Sequence, residues 1–137
     1  MSRGRTGPIN VALAGAGMIS WHHLTAWRKL GERVRLVAIC EPDPERGAGR
    51  AREFGIGRVC RTPEELFDGT PIDALDIAAP RETHAAWIEA AAAHGVDVLC
   101  QKPLAPTFAE AAAVLDRAGS IRVMAHDNWR FRPWYRD

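Results

Sequence analysis

The chain's 137 residues, 47% hydrophobic and 26% charged, are the make-up of one soluble globular domain with room for a buried sheet, not of a fibrous, disordered or membrane-embedded chain. A formal net charge of +1 supplies no general field for nucleic acid or an anionic membrane, and no apolar run nears the roughly 20 residues that span a bilayer. Neither partner is therefore expected, and the cytoplasm is the expected compartment. Cys40, Cys60 and Cys100 are odd in number and form no C-x-x-C pair, which indicates neither a disulfide framework nor a zinc site. Each is expected to be a small buried residue near a strand end.

Residues 1–8 are short, basic and polar, with no adjoining signal-peptide core, and read as a flexible lead-in. Ile9, Val11 and Leu13 then open a run of β-forming residues that turns through Gly15-Ala16-Gly17 into a helical segment, with Gly31 as its expected C′ residue. Strand, glycine turn and helix in this order have a specific use. Gly15 permits a tight bend, Gly17 lacks the Cβ that would block a pyrophosphate, and the helix start around Met18 and Ile19 offers free N–H groups at its positive dipole end. The third position of the fingerprint G-x-G-x-x-G/A is Ser20, small enough for close helix-to-strand packing. A second strand from Val34 to Cys40 ends on Glu41, where a carboxylate accepts hydrogen bonds from the adenosine ribose and repels a 2′-phosphate, favouring NAD over NADP. Asp43 competes for this role. Arg46 and Arg50 read as exposed helix residues, with a 2′-phosphate contact as the other reading.

Further along, Asp43 reads as N-cap and Pro44 as N1 of a helix running to Phe54 and ended by Gly55 and Gly57. A short strand at Arg58–Cys60 leads into the capping box Thr62-Pro63-Glu64-Glu65 and a brief helix. Ile72–Ala79 reads as a buried strand, Thr83–His94 as a helix stopped by Gly95, and Val96–Cys100 as the next strand. Thr107-Phe108-Ala109-Glu110 is a second capping box, before a helix that stops at Gly119 and a last strand at Ile121–Ala125. Strands alternating with helices at this spacing imply a doubly wound α/β domain with a parallel sheet, whose ligands lie outside the carboxyl ends of the strands.

The segments after those ends resemble one family, the sugar and inositol oxidoreductases typified by glucose-fructose oxidoreductase and inositol 2-dehydrogenase (Gfo/Idh/MocA). The matching stretches are Gly15 to Ser20 with His22 and His23, then Ala79-Pro80-Arg81-Glu82-Thr83-His84, Gln101-Lys102-Pro103-Leu104-Ala105, and Arg130 to Tyr135. The resemblance implies an NAD-binding Rossmann domain over 9–128, with Ala79, Pro80 and His84 near the nicotinamide and Gln101 and Lys102 on the cofactor. It further implies that Lys102 is catalytic, its ammonium stabilising the alkoxide of a sugar, polyol or related cyclic alcohol as hydride leaves carbon. Gln101 stands where the family usually has glutamate, and Arg81 where a small polar residue is common. His22 and His23 are adjacent and form no i, i+4 metal pair, and His126 and Asp127 lack further ligands, so no metal is expected.

In the resemblance the cofactor domain is followed by a second domain with most substrate contacts. The sequence is therefore expected to be a cofactor domain alone, binding NAD without efficient turnover, with 129–137 the start of that domain or an interface tail able to self-associate through its aromatic residues. Two other readings stand beside it: a non-catalytic NAD-binding module that pairs with another chain, and a methyltransferase using S-adenosylmethionine on the same kind of turn.

Overall fold

The computed structural model describes residues 6–136, with side chains as far as Trp134; residues 1–5 of the lead-in and Asp137 lie outside the described residues. Six strands, β1 (Ile9–Ala14), β2 (Val34–Cys40), β3 (Val59–Cys60), β4 (Ala74–Ile77), β5 (Asp97–Gln101) and β6 (Val123–His126), form one sheet in the order β3-β2-β1-β4-β5-β6. Every pairing is parallel. The chain winds outward from β1 in both directions, so strand order reverses between β1 and β4 and the carboxyl ends share one edge. This is the doubly wound α/β architecture that the alternating pattern implies.

Helices α1 (Met18–Arg28) and α2 (Pro44–Phe54) lie on one face, where Leu13, Leu24, Ile39, Ala51 and Ile56 pack together. Helices α3 (Pro63–Phe67), α4 (His84–Ala93) and α5 (Phe108–Ala118) cover the other, over Cys40, Leu66, Ile77, Ile88, Cys100 and Val114. Because both faces of β1 are covered, Val11 to Ala14 lose all exposure, as a strand central to a parallel sheet must. The covering is uneven. On β5 only Val98 and Cys100 are buried, Leu99 between them is partly open, and its neighbour Met124 on β6 is 48% exposed. The α1 face of the sheet is thus left bare beyond β4.

Cys40, Cys60 and Cys100 are free and buried. Burial, the first cause in each case, pushes the thiols of Cys40 and Cys100 up to about 12 and raises that of Cys60, so all three act as packing groups.

Most boundaries fall where the sequence puts them, and the exceptions have local causes. Helix α1 ends at Arg28 with Lys29 as C-cap, so Gly31 is not its C′ residue; at φ +56° it opens a separate 3₁₀ turn, Gly31–Arg33. Strand β4 is shorter than Ile72–Ala79. Its entry is held by side chains, Asp73 Oδ2 accepting the Asn10 N–H at 2.7 Å, and its exit bends where Ala78 and Ala79 pass Gly15. A 3₁₀ turn, Arg81–Thr83, precedes α4. Strands β5 and β6 begin one and two residues later than expected. In the first capping box Thr62 accepts the Glu65 N–H as it should, but the Glu65 carboxylate takes the Arg61 N–H instead of that of Thr62. After β6, Asp127 caps a 3₁₀ turn, Asn128–Phe131, and α6 (Pro133–Arg136) follows.

Candidate functional site

At the carboxyl end of β1 the chain bends at Gly15, whose φ is +97°, with its N–H on the Cys40 carbonyl at 2.8 Å. A Cβ there would come within 2.6 Å of the Ala78 carbonyl oxygen, so glycine is needed for the turn to pass the β4 exit as well as for its φ. Gly17 differs. It is the N-cap of α1 at φ −67°, and a Cβ on it would meet nothing within 4 Å. Room is therefore open in front of the helix start, where Met18 is 86% exposed and Ile19 is exposed as well. No side chain caps α1 and its first turn holds no acid, whereas α2, α3 and α5 are capped by Asp43, Thr62 and Thr107 with an acid in the first turn. The positive end of α1 thus has no acid of its own to offset it, a condition it shares with α4 alone among the five helices α1 to α5. Ser20, fully buried, bonds back to the Gly17 carbonyl and fills the tight third position of the fingerprint.

Glu41 lies beside this turn, 6% exposed. Its Oε2 accepts the Ala16 N–H at 2.8 Å and its Oε1 the Asp43 N–H at 3.1 Å. Asp43 is taken up by capping: its carboxylate accepts the Glu45 and Arg46 amides, the latter first among the causes that hold it below its ordinary range. Of the two competing acids, Glu41 is the one at the turn. Arg46 is exposed as expected and lies 3.6 Å from Glu41. Arg50 is not an exposed helix residue. Its side chain is 17% exposed, pairs with Glu53 at 2.7 Å and reaches the Gly17 carbonyl at 3.3 Å. The helix pattern conceals this, because α2 lies directly across the turn from α1.

On the far side of β1, Ala79 and Pro80 leave β4 and His84 begins α4. His84 is 1% exposed, and its ring nitrogens lie 2.8 Å from the Pro103 carbonyl oxygen and 2.9 Å from that of Ala79. It straps the loop after β4 to the loop after β5. Gln101 ends β5; its Oε1 accepts the Lys102 N–H at 2.7 Å and its Nε2 lies 3.0 Å from His23 Nε2. The Lys102 side chain borders a cleft of about 820 Å³ that also takes in Ile19, His22, Trp27, Trp129 and Arg132. The fold thus gathers Ile19, Gln101 and Lys102 in one cleft. Gly15, Gly17, Met18 and Glu41 stand along the same edge toward β2, and Ala79, Pro80 and His84 follow β4, which lies between β1 and β5 in the sheet.

The floor of the cleft holds one group that the sequence reading passed over, Asp76, beside two that it weighed as metal ligands, His23 and His126. Asp76, fully buried in β4, accepts from Trp27 Nε1 at 2.6 Å and contacts His23 Nδ1 at 2.9 Å. The signal was an acid inside the otherwise apolar run Ile72–Ala79, four residues before the proline. His126 stacks edge-on against His23 with ring centres 4.8 Å apart, and its Nδ1 is buried without a hydrogen-bond partner. Burial first, then His23, lowers its pKa, against the opposing pull of Asp76 and Asp127. Among the described residues no group of three His, Cys, Asp or Glu is arranged to hold a metal ion.

Comparison with known proteins agrees with this fold. D-apiose dehydrogenase of Paraburkholderia graminis is 38% identical over 125 residues, 89% of this chain and 33% of that protein. Inositol 2-dehydrogenase 4 of Saccharopolyspora erythraea is 32% identical over 130 residues, 93% of this chain and 38% of that protein. The chain spans about a third of the length of these curated relatives. An oxidoreductase from Agrobacterium radiobacter, solved in complex with NAD+, L-tartaric acid and magnesium, superposes with a TM-score of 0.85 at 33% identity, over 90% of this chain and 36% of that one. Residues 9–127 match the pattern described as oxidoreductase family, NAD-binding Rossmann fold, and the chain belongs to that Gfo/Idh/MocA family.

Proposed function

We propose that this chain is the NAD-binding part of an oxidoreductase that moves hydride between the cofactor and the carbinol carbon of a sugar, polyol or related cyclic alcohol. The observation that carries the reading is the uncapped, acid-free start of α1 opening on Gly17, with the Glu41 carboxylate bonded to the same turn. The residues fit the group. Gly15, Gly17, Met18 and Ile19 would hold the pyrophosphate, Glu41 the adenosine ribose, and Ala79, Pro80, Gln101 and Lys102 the nicotinamide end, with His84 fixing the two loops that carry them. The nicotinamide, when bound, supplies the hydride acceptor. Lys102 is the catalytic residue of this proposal: its ammonium lowers the pKa of the substrate hydroxyl and stabilises the alkoxide.

Glu41 directs the preference toward NAD. Both its oxygens accept backbone N–H groups at the end of β2, which fixes the carboxylate where a 2′-phosphate would be repelled. The test is thermal unfolding with NAD, NADP and S-adenosylmethionine. A ligand at about ten times its dissociation constant stabilises by roughly 1.4 kcal/mol, several degrees in a domain of this size. NAD is expected to raise the Tm more than NADP, and Glu41→Ala to erase the difference. No shift with either dinucleotide sinks the reading, and a shift with S-adenosylmethionine alone turns it into a methyltransferase.

The aromatic tail belongs to the same proposal. Trp129, Phe131 and Trp134 are 57%, 49% and 65% exposed, a patch suited to a protein surface, including a second copy of this chain. Concentration-dependent sedimentation that disappears in Trp129→Ser/Trp134→Ser supports self-association; a single monomeric species at all concentrations refutes it.

A further inference from the structure

The hydrogen-bond chain under the cleft has a direction that two obligate donors determine. At one end the Lys102 backbone N–H can only donate, and it does so to Gln101 Oε1 at 2.7 Å. That contact settles which way the Gln101 amide is turned, so its NH₂ group is the one 3.0 Å from His23 Nε2. A primary amide nitrogen only donates, which makes His23 Nε2 an acceptor and leaves the ring proton on Nδ1. At the other end the Trp27 indole N–H can only donate, and it meets Asp76 Oδ2 at 2.6 Å. Asp76 is therefore the acceptor for His23 Nδ1–H, whose contacts to Oδ1 and Oδ2 are both 2.9 Å. The series Lys102, Gln101, His23, Asp76, Trp27 closes with each of its hydrogens placed. It joins β5, α1 and β4 through side chains buried at His23 and Asp76.

We propose that Asp76 and His23 are positioning residues that act through Gln101 on the Lys102 backbone, and that glutamine at position 101 is what keeps this relay directional. A glutamate there could still accept the Lys102 N–H, but its second oxygen would face the His23 Nε2 lone pair. The clash is relieved by one added proton, which goes to the ring as the more basic group and leaves it a cation between two carboxylates. Glutamine instead leaves Asp76 as the single charge in the relay and the His23 ring neutral, edge-on to His126 and next to the cleft that Lys102 borders. The role assigned to the relay rests on the reading of Lys102 as the residue at the reacting hydroxyl; the hydrogen-bond order stands apart from it.

The experiment is nuclear magnetic resonance on the chain labelled with ¹⁵N in histidine and in the backbone. Two-bond proton–nitrogen correlations of His23 are expected to show a protonated Nδ1 and a bare Nε2, and in Gln101→Glu to move both nitrogens to imidazolium positions. Hydrogen exchange at the Lys102 amide reads the positioning. Gln101→Met and His23→Ala are each expected to speed it about tenfold, the double variant no more than Gln101→Met alone, since both break one chain. A wild-type ring protonated at Nε2, or additive exchange effects, overturns the proposal. Should His23→Ala fail to fold, His23→Asn keeps a donor toward Asp76 while losing Gln101, and is expected to give the Gln101→Met exchange rate; the wild-type rate in His23→Asn overturns it. NAD titration of the same samples judges the cofactor reading separately, because neither the tautomer nor the exchange rate depends on it.

Discussion

The edge of the sheet between β1 and β2 is built from backbone. Gly15 bends past Ala78, the start of α1 stands uncapped, and the side chains there all meet backbone: Glu41 bonds to amides two and twenty-five residues away, and Ser20 and Arg50 to the Gly17 carbonyl. Between β4 and β6 the edge is built from side chains drawn from distant elements: His84 across to Pro103, Asp76 to His23 and Trp27, Gln101 to His23. The first kind of construction offers a ligand fixed dipoles and open space. The second offers a chain of oriented polar groups that cannot be changed singly without leaving a buried partner unpaired. The difference extends to packing, since the α1 face is closed over β1 and β2 and bare over β5 and β6.

Substitutions at the two glycines and at Asp76 sharpen this contrast. Gly15→Ala is the most damaging. It combines a φ of +97° with a Cβ 2.6 Å from a backbone oxygen that cannot rotate away, and a loss of about 4 kcal/mol is expected in urea unfolding. A loss under about 1 kcal/mol would mean that the turn relaxes and the close approach is not required. Next comes Asp76→Ala, which strands the Trp27 and His23 donors in a buried site; about 3 kcal/mol is expected, with little change if water replaces the carboxylate. Gly17→Ala should behave in the opposite way to its neighbour. With open space and an ordinary φ, stability stays within about 0.5 kcal/mol while NAD affinity falls at least tenfold, about 1.4 kcal/mol by calorimetric titration. Unchanged affinity would remove the pyrophosphate from this turn.

How much of each half could be read in the sequence follows from the same contrast. The backbone half was legible, because glycine spacing, caps such as Asp43 and Thr107, and β-forming runs are local signals that report local geometry. Glu41 was legible too, being fixed by its place after a strand. Arg50 was not: nothing in the helix pattern separates it from the exposed Arg46 and Arg52, and only the crossing of α2 beside the glycine turn brings it to the Gly17 carbonyl. On the other half Gln101, Lys102 and His84 were found through motifs, but not what they bond to. Asp76 with His23, and His126 with its unpartnered Nδ1, depend on register between β4, β5 and β6 and on the azimuth of α1, which no short stretch encodes.

His126 gives the smallest expected effect and the one that tests the polar half without removing any member of the relay. Burial is the first cause of its lowered pKa and the neighbouring His23 ring the second, with Asp76 and Asp127 pulling the other way. Its Nδ1 has no partner, so a proton added there would meet neither water nor an acceptor. A histidine in the unfolded chain takes its proton near pH 6.5, whereas the folded chain resists until a lower pH. Between those two values the unfolded state binds more protons, so stability rises with pH. The contribution is fully present above about pH 6.5 and is lost as pH falls through the lower folded value. Urea unfolding at pH 7.5 and pH 5.5 is expected to show a smaller acid loss in His126→Gln than in the wild type, the other histidines being common to both proteins. Equal losses in the two would mean that His126 reaches water on the bare face of β6, and that the cleft is wetter there than its buried Nδ1 implies.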